Sequence, residues 1–182
     1  DGAILYFVGE TPEQQGIYAT ARDSRSPPRR LCDTGPLAGP IARSGLSLSP
    51  DGQWIAMFSF IRRKLGIFIV PTAGGLPRLL EELTEWAPAV PVWSPDCHWL
   101  AFVNGKTLFR VSRDGQTREA IATLHGWQGE SVRWSPDGKW IAALACETRE
   151  HFMGGRPGVF VVSVADKQWR KLTPESERQY KE

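Results

Sequence analysis

The chain has 182 residues, 41% of them apolar and 23% charged, with a formal net charge of +2. That length suits one compact domain with a sizeable core, and the small net charge excludes nucleic-acid binding through a broad basic field. No apolar run approaches the ~20 residues of a membrane-spanning helix, while 14 prolines and 18 glycines fit a turn-rich all-β chain.

Residues 1–31 read as strands around Leu5, Gly16-Ile17-Tyr18 and Arg29-Arg30-Leu31. The next unit, about 41–80, is fuller. It has a strand at Leu46-Ser47-Leu48, a tight turn at Ser49-Pro50-Asp51-Gly52 and a strand opening Trp54-Ile55-Ala56. A third strand follows at Gly66-Ile67-Phe68-Ile69-Val70, then a turn at Thr72-Ala73-Gly74-Gly75 and an outer strand at Pro77–Leu80. The unit at about 88–122 repeats this order with Ser94-Pro95-Asp96-Cys97, Trp99-Leu100-Ala101, Thr107–Val111, Arg113-Asp114-Gly115 and Thr117–Ile121. The unit at about 130–173 does so again with Ser135-Pro136-Asp137-Gly138, Trp140-Ile141-Ala142, Gly158–Val162, Ala165-Asp166-Lys167 and Gln168–Leu172. Residues 174–182 are a charged tail.

The repeated turn has a local physical logic. Proline presets φ, the aspartate side chain accepts from nearby backbone N–H groups, and glycine takes the position with φ > 0. Asp51, Asp96 and Asp137 are therefore structural turn residues, and Cys97 in place of glycine predicts a slightly distorted turn. Trp54, Trp99 and Trp140 recur at one repeat position, which marks them as packing residues between units. The turn serines lie 45 and then 41 residues apart, a spacing that signals the blades of a β-propeller. Shifting the N-terminus by 50 residues sets Asp1-Gly2 on Asp51-Gly52 and Leu5 on Ile55. The expected fold is thus all-β: about four four-stranded antiparallel blades, the first truncated by loss of its innermost strand. The charged tail is a poor substitute for that strand. A segment of a larger propeller is expected, with open blade edges able to self-associate.

The phrase Ser-Pro-Asp-Gly-x-x-Ile/Leu-Ala, followed by Ile-Phe-Val-like strands and a Gly-rich or Asp-Gly turn, resembles the repeat of TolB-type propellers. The same repeat builds the non-catalytic propeller of prolyl-oligopeptidase-like serine peptidases. The resemblance spans about residues 1–173 and implies a fold rather than an activity.

Catalytic patterns are absent. No Gly-x-Ser-x-Gly elbow or His-Glu-x-x-His occurs, and the Asp-Gly turns lack the flanking acids of a calcium loop. Cys32, Cys97 and Cys146 fall in different units, with neither disulfide nor zinc spacing. No cofactor or metal is expected. The turns form one face, and the loops between second and third strands form the other. The second set varies, which is where binding residues sit on rigid scaffolds. It carries Arg62, Arg63 and Lys64 in one loop and Arg149, Glu150, His151 and Phe152 in another. The leading functional expectation is a non-enzymatic module that binds a protein or peptide through these loops. The second is part of a gating propeller whose peptidase domain lies outside the chain. Extracytoplasmic and cytoplasmic locations both stay open.

Overall fold

A computed structural model describes residues 4–10, 15–23, 25–33, 45–61, 64–83, 90–123, 126–146 and 158–173, with backbone alone at 10, 15, 33, 126–131, 145 and 146. Every regular element among these residues is a strand. Blade 1 is the three-stranded sheet β1 (Ile4–Glu10), β2 (Gln15–Ala21) and β3 (Arg29–Asp33). Blade 2 contains β4 (Leu46–Leu48), β5 (Trp54–Ile61), β6 (Lys64–Pro71) and β7 (Arg78–Glu82). Blade 3 contains β8 (Val92–Trp93), β9 (Trp99–Asn104), β10 (Thr107–Ser112) and β11 (Arg118–Thr123). Blade 4 contains β12 (Gly126–Trp134), β13 (Trp140–Cys146), β14 (Gly158–Ser163) and β15 (Trp169–Lys171). Each sheet is antiparallel, with its strands hydrogen-bonded in chain order. Strand β12 starts at Gly126, ahead of the unit expected at about 130–173, because its backbone pairs Gly126 with Cys146 across a register shift before Arg133.

The last two strands of blades 1, 2 and 3 share a bulge, at Ile17/Tyr18, Ile67/Phe68 and Leu108/Phe109. At Gly66 the bulged backbone passes so close that a Cβ would collide with the Glu81 carbonyl oxygen. Glycine is required there by close approach.

Strand alternation explains how the blades stack. In β5, Ile55 and Met57 face blade 1, joining Ile17, Ala19 and Leu31 in one core. Their neighbours Ala56 and Phe58 face blade 3, joining Leu100, Phe102 and Val111 in a second core. A third core joins Ala101, Val103 and Leu108 of blade 3 to Ile141, Ala143, Phe160 and Val162 of blade 4. An inner blade is thus buried on both faces, and its strands read as nearly continuous apolar runs. Each such side chain contributes roughly 1.5–3 kcal/mol on burial. Among the described residues no core joins blade 4 to blade 1.

Candidate functional site

On one face of the blades the repeated turns form a closed hydrogen-bond device. In blade 2 the Asp51 carboxylate accepts from the Ser49 hydroxyl and from the Gln53 N–H at 3.0 Å, and Ser49 Oγ accepts from the Trp54 N–H at 2.9 Å. Blade 3 repeats it with Ser94, Asp96, His98 and Trp99, and blade 4 with Ser135, Asp137, Lys139 and Trp140. The second turn of blade 3 uses the same device through Ser112, Asp114, Gln116 and Thr117. Sequence reading saw that turn but not its kinship, although Ser-x-Asp-Gly was there to be read.

These bonds hold the carboxylates in their charged form. For Asp51 and Asp137 the Ser hydroxyl is the main cause of a pKa below the ordinary 3.8, followed by the backbone N–H. For Asp96, burial pushes upward, but the Ser94 and His98 hydrogen bonds together outweigh it. Cys97 sits at φ 60°, beside 70° for Gly52 and 71° for Gly138. The distortion expected there is slight: its N–H reaches Ser94 O at 3.0 Å, against 2.8 Å for Gly52 to Ser49 O. Burial raises the pKa of its thiol. Cys32 and Cys97 are both buried outside any disulfide.

The two turns of each complete blade lie side by side. The Thr72 N–H donates to Gln53 O at 2.9 Å, Arg113 N–H to His98 O at 2.8 Å and Val164 N–H to Lys139 O at 2.9 Å. In blade 3 they enclose a shallow groove of about 390 Å³ lined by Asp96, His98, Trp99, Ser112, Arg113 and Asp114. Its polar groups are engaged internally: His98 Nδ1 lies 2.6 Å from Asp96 O, and Arg113 stands 3.8 Å from Asp51. Among the described residues no three His, Cys, Asp or Glu side chains converge to hold a metal ion.

The three equivalent tryptophans differ in packing. Trp54 packs on the core between blades 2 and 3. Trp99 lies under the Arg110 guanidinium at 4.1 Å from ring centroid to Cζ, and Trp140, 40% exposed, under Arg170 at 6.0 Å.

Of the residues expected to bind, the structure describes Lys64. Lys64 opens β6 and pairs with Glu82 at 2.8 Å, both side chains being more than half exposed. Arg62, Arg63, Arg149, Glu150, His151 and Phe152 lie outside the described residues.

A further set of polar contacts joins successive blades, and sequence reading missed it. Trp93 on the innermost strand of blade 3 donates its indole N–H to Ser47 O of blade 2 at 3.0 Å, and Trp134 of blade 4 donates to Val92 O of blade 3 at 3.0 Å. Leu48 takes the tryptophan position in blade 2 and is half exposed, with no innermost strand of blade 1 described beside it. At the outer rim, Arg29 of blade 1 donates to Thr72 O and Ala73 O of the second turn of blade 2 at 3.1 and 3.0 Å. Arg78 of blade 2 does the same to Arg113 O and Asp114 O of blade 3.

No protein-family model and no curated protein matches the sequence. Solved structures do match the fold. TolB from Acinetobacter baumannii superposes with a TM-score of 0.69 at 18% identity, over 94% of this chain and 41% of that one. A nidogen/laminin complex gives 0.64 at 14% identity, over 95% and 61%. Dipeptidyl peptidase 4 from Porphyromonas gingivalis gives 0.57 at 16%, over 96% and 32%. The chain spans less than two thirds of each. With the four stacked antiparallel sheets, these likenesses define the fold as a TolB-like β-propeller.

Proposed function

We propose that the protein is a non-enzymatic propeller module that recognises a protein or peptide through its variable-loop face. The observation that carries this reading is the closed bonding of the other face: the Asp51, Asp96, Asp114 and Asp137 carboxylates are all committed to their own turns. Recognition then falls to Arg62, Arg63 and Lys64 and to Arg149, Glu150, His151 and Phe152. The arginine and lysine side chains favour an acidic, carboxylate-bearing partner. The likeness to a nidogen/laminin complex agrees with protein recognition as a use of this fold. The four blades form a run within a ring of more blades, in keeping with the 41% share of the TolB chain that they span.

The test is titration with an oligoglutamate peptide at low and at physiological salt. Screening over ~8 Å weakens the association as salt rises. Replacing Arg62, Arg63 and Lys64 together with Ala slows association more than it speeds dissociation, as for charges that steer encounter, while Asp137→Ala leaves affinity unchanged. Affinity that ignored the triple change and Glu150→Ala/His151→Ala, yet fell with Asp137→Ala, would place recognition on the turn face instead.

The likeness to dipeptidyl peptidase 4 over 96% of this chain favours a second reading, the propeller that screens substrates for a prolyl-oligopeptidase-like serine peptidase. The gene sequence downstream of Glu182 separates the two. An α/β-hydrolase pattern there selects the peptidase, whereas further blades or a stop codon select the binding module.

A further inference from the structure

We propose that the seam between blades 2 and 3 is a proton-sensitive latch, in which Glu81 pairs with Arg118 at neutral pH and takes up a proton in mild acid, tightening the seam. The latch lies between the two inner blades and is independent of the variable-loop face.

The repeat supplies its own comparison. In blades 1, 2 and 3 the bulge turns two successive residues toward the following blade: Leu31 and Cys32, Leu80 and Glu81, Ile121 and Ala122. Leu31 and Cys32 join the core shared with blade 2, Leu80 that shared with blade 3, and Ile121 and Ala122 that shared with blade 4. Of the six, Glu81 is the one carboxylate. Arg118 opens β11 at the repeat position that Pro77 takes ahead of β7 and Trp169 takes in β15. The two departures coincide at one seam. A carboxylate and a guanidinium stand there, where the repeat elsewhere supplies Cys32 with Pro77 and Ala122 with Trp169.

Glu81 Oε1 lies 2.9 Å from Arg118 Nε, with the Glu81 side chain 15% exposed and that of Arg118 43%. The Arg118 guanidinium also rests over the Phe109 ring at 3.9 Å, and Phe109 stacks on Phe102 at 5.6 Å. The other charged side chains of these strands are engaged elsewhere. Arg78 of β7 grips the carbonyls of Arg113 and Asp114, Glu82 of β7 pairs with Lys64 of β6, and Glu119 of β11 pairs with Arg110 of β10. Among the described residues, Arg118 is the charged group that meets Glu81.

Burial disfavours the ionised carboxyl and pushes its pKa above the ordinary 4.5, and the Arg118 charge pulls it back without cancelling that effect. The desolvation of a buried ion thus outweighs the attraction of its partner. When Glu81 takes up its proton the seam loses a desolvated charge, while Arg118 keeps the Phe109 ring and its access to water. The folded seam therefore binds the proton more readily than the unfolded chain does. Its contribution to stability is full below 4.5 and is lost as pH rises through the higher folded value.

The test is urea denaturation of the 182-residue chain and of Glu81→Gln at pH 5 and pH 7. Glutamine cannot titrate and so marks the neutral state. Its advantage in the folding equilibrium constant is expected to grow by about twofold or more toward pH 7. An NMR titration of the Glu81 carboxyl carbon needs no variant, and its midpoint is expected above 4.5. Arg118→Ala should move that midpoint higher still. Amide protection in β7 and β11, corrected for intrinsic exchange, should rise more from pH 7 to pH 5 in the parent than in Glu81→Gln. Glu81→Ala combined with Arg118→Trp, which copies the pair found at blades 3 and 4, should lack the parent's response as well. A glutamine advantage that shrinks toward pH 7, a midpoint at or below 4.5, or a midpoint that falls in Arg118→Ala would each overturn the proposal.

Discussion

Asp51 shows how much one side chain settles at the residue scale. Its carboxylate joins a hydroxyl and a backbone N–H across the turn, which fixes the hairpin between β4 and β5. Asp51→Ala is expected to cost about 0.5–2 kcal/mol by analogy with lost caps on backbone donors; urea denaturation measures it. The charged form is favoured in the folded state, so its contribution is present above the ordinary pKa of 3.8 and fades as pH falls through the lower folded value. Asp51→Asn keeps an acceptor oxygen. It should cost less at neutral pH and flatten the acid limb of a stability-against-pH curve below about 3.8. Gly138 offers a separate check at φ 71°. Gly138→Ala meets only Pro95 Cδ at 3.9 Å, so any loss reflects backbone strain alone, about 1–2 kcal/mol. These residues could be read from the sequence because serine, aspartate and glycine act within five positions of one another. The groove at Asp96 and Arg113 could not, since it needs two turns brought together from separate hairpins.

Between elements the information becomes non-local. Arg78 reaches carbonyls 35 and 36 residues ahead, and nothing in its own neighbourhood marks it out from Arg30 or Arg118. Once the register is known its role follows. Arg78→Ala should lower stability by about 1 kcal/mol, a modest figure because the site is exposed and water screens it. Arg78→Lys should recover less than half, because an ammonium cannot span both carbonyls. Chemical denaturation of the three proteins decides this. Trp93 and Trp134 stand where blade 2 has Leu48, but their indole partners lie 46 and 42 residues away. Spacing showed the repeat, and only stacked blades could show what the exceptions touch. The expected loop residues fared differently: Lys64 alone falls within the described structure, where Glu82 already engages it.

For the whole molecule, stability is laid out along a line of blade contacts rather than around one centre. Among the described residues, inner blades are covered twice and end blades once. In a stack of this kind, protection against opening follows the number of neighbours. Hydrogen exchange read by mass spectrometry should therefore find β5, β6, β9 and β10 slowest, with β1 and β2 exchanging sooner. Equal protection in all four blades would refute that ordering. The all-β architecture and the repeat were readable in the sequence because turn chemistry recurs at blade spacing. How far each sheet face is buried was not, since half-burial of Leu144 or Val161 depends on what stands beside the sheet.

The tryptophan and arginine links also point in opposite directions along the chain. Each indole donates backward, to a carbonyl that precedes it by 46 or 42 residues, whereas each guanidinium grips forward, on a turn not yet reached. For a polypeptide emerging from the ribosome this sets an order, as domains and their parts form in the sequence of synthesis. The inner strand of a new blade arrives first and latches onto a blade already made. Its second turn arrives later and is caught by an arginine that has been waiting at the rim. Blades are thus secured from the axis outward, one latch after another.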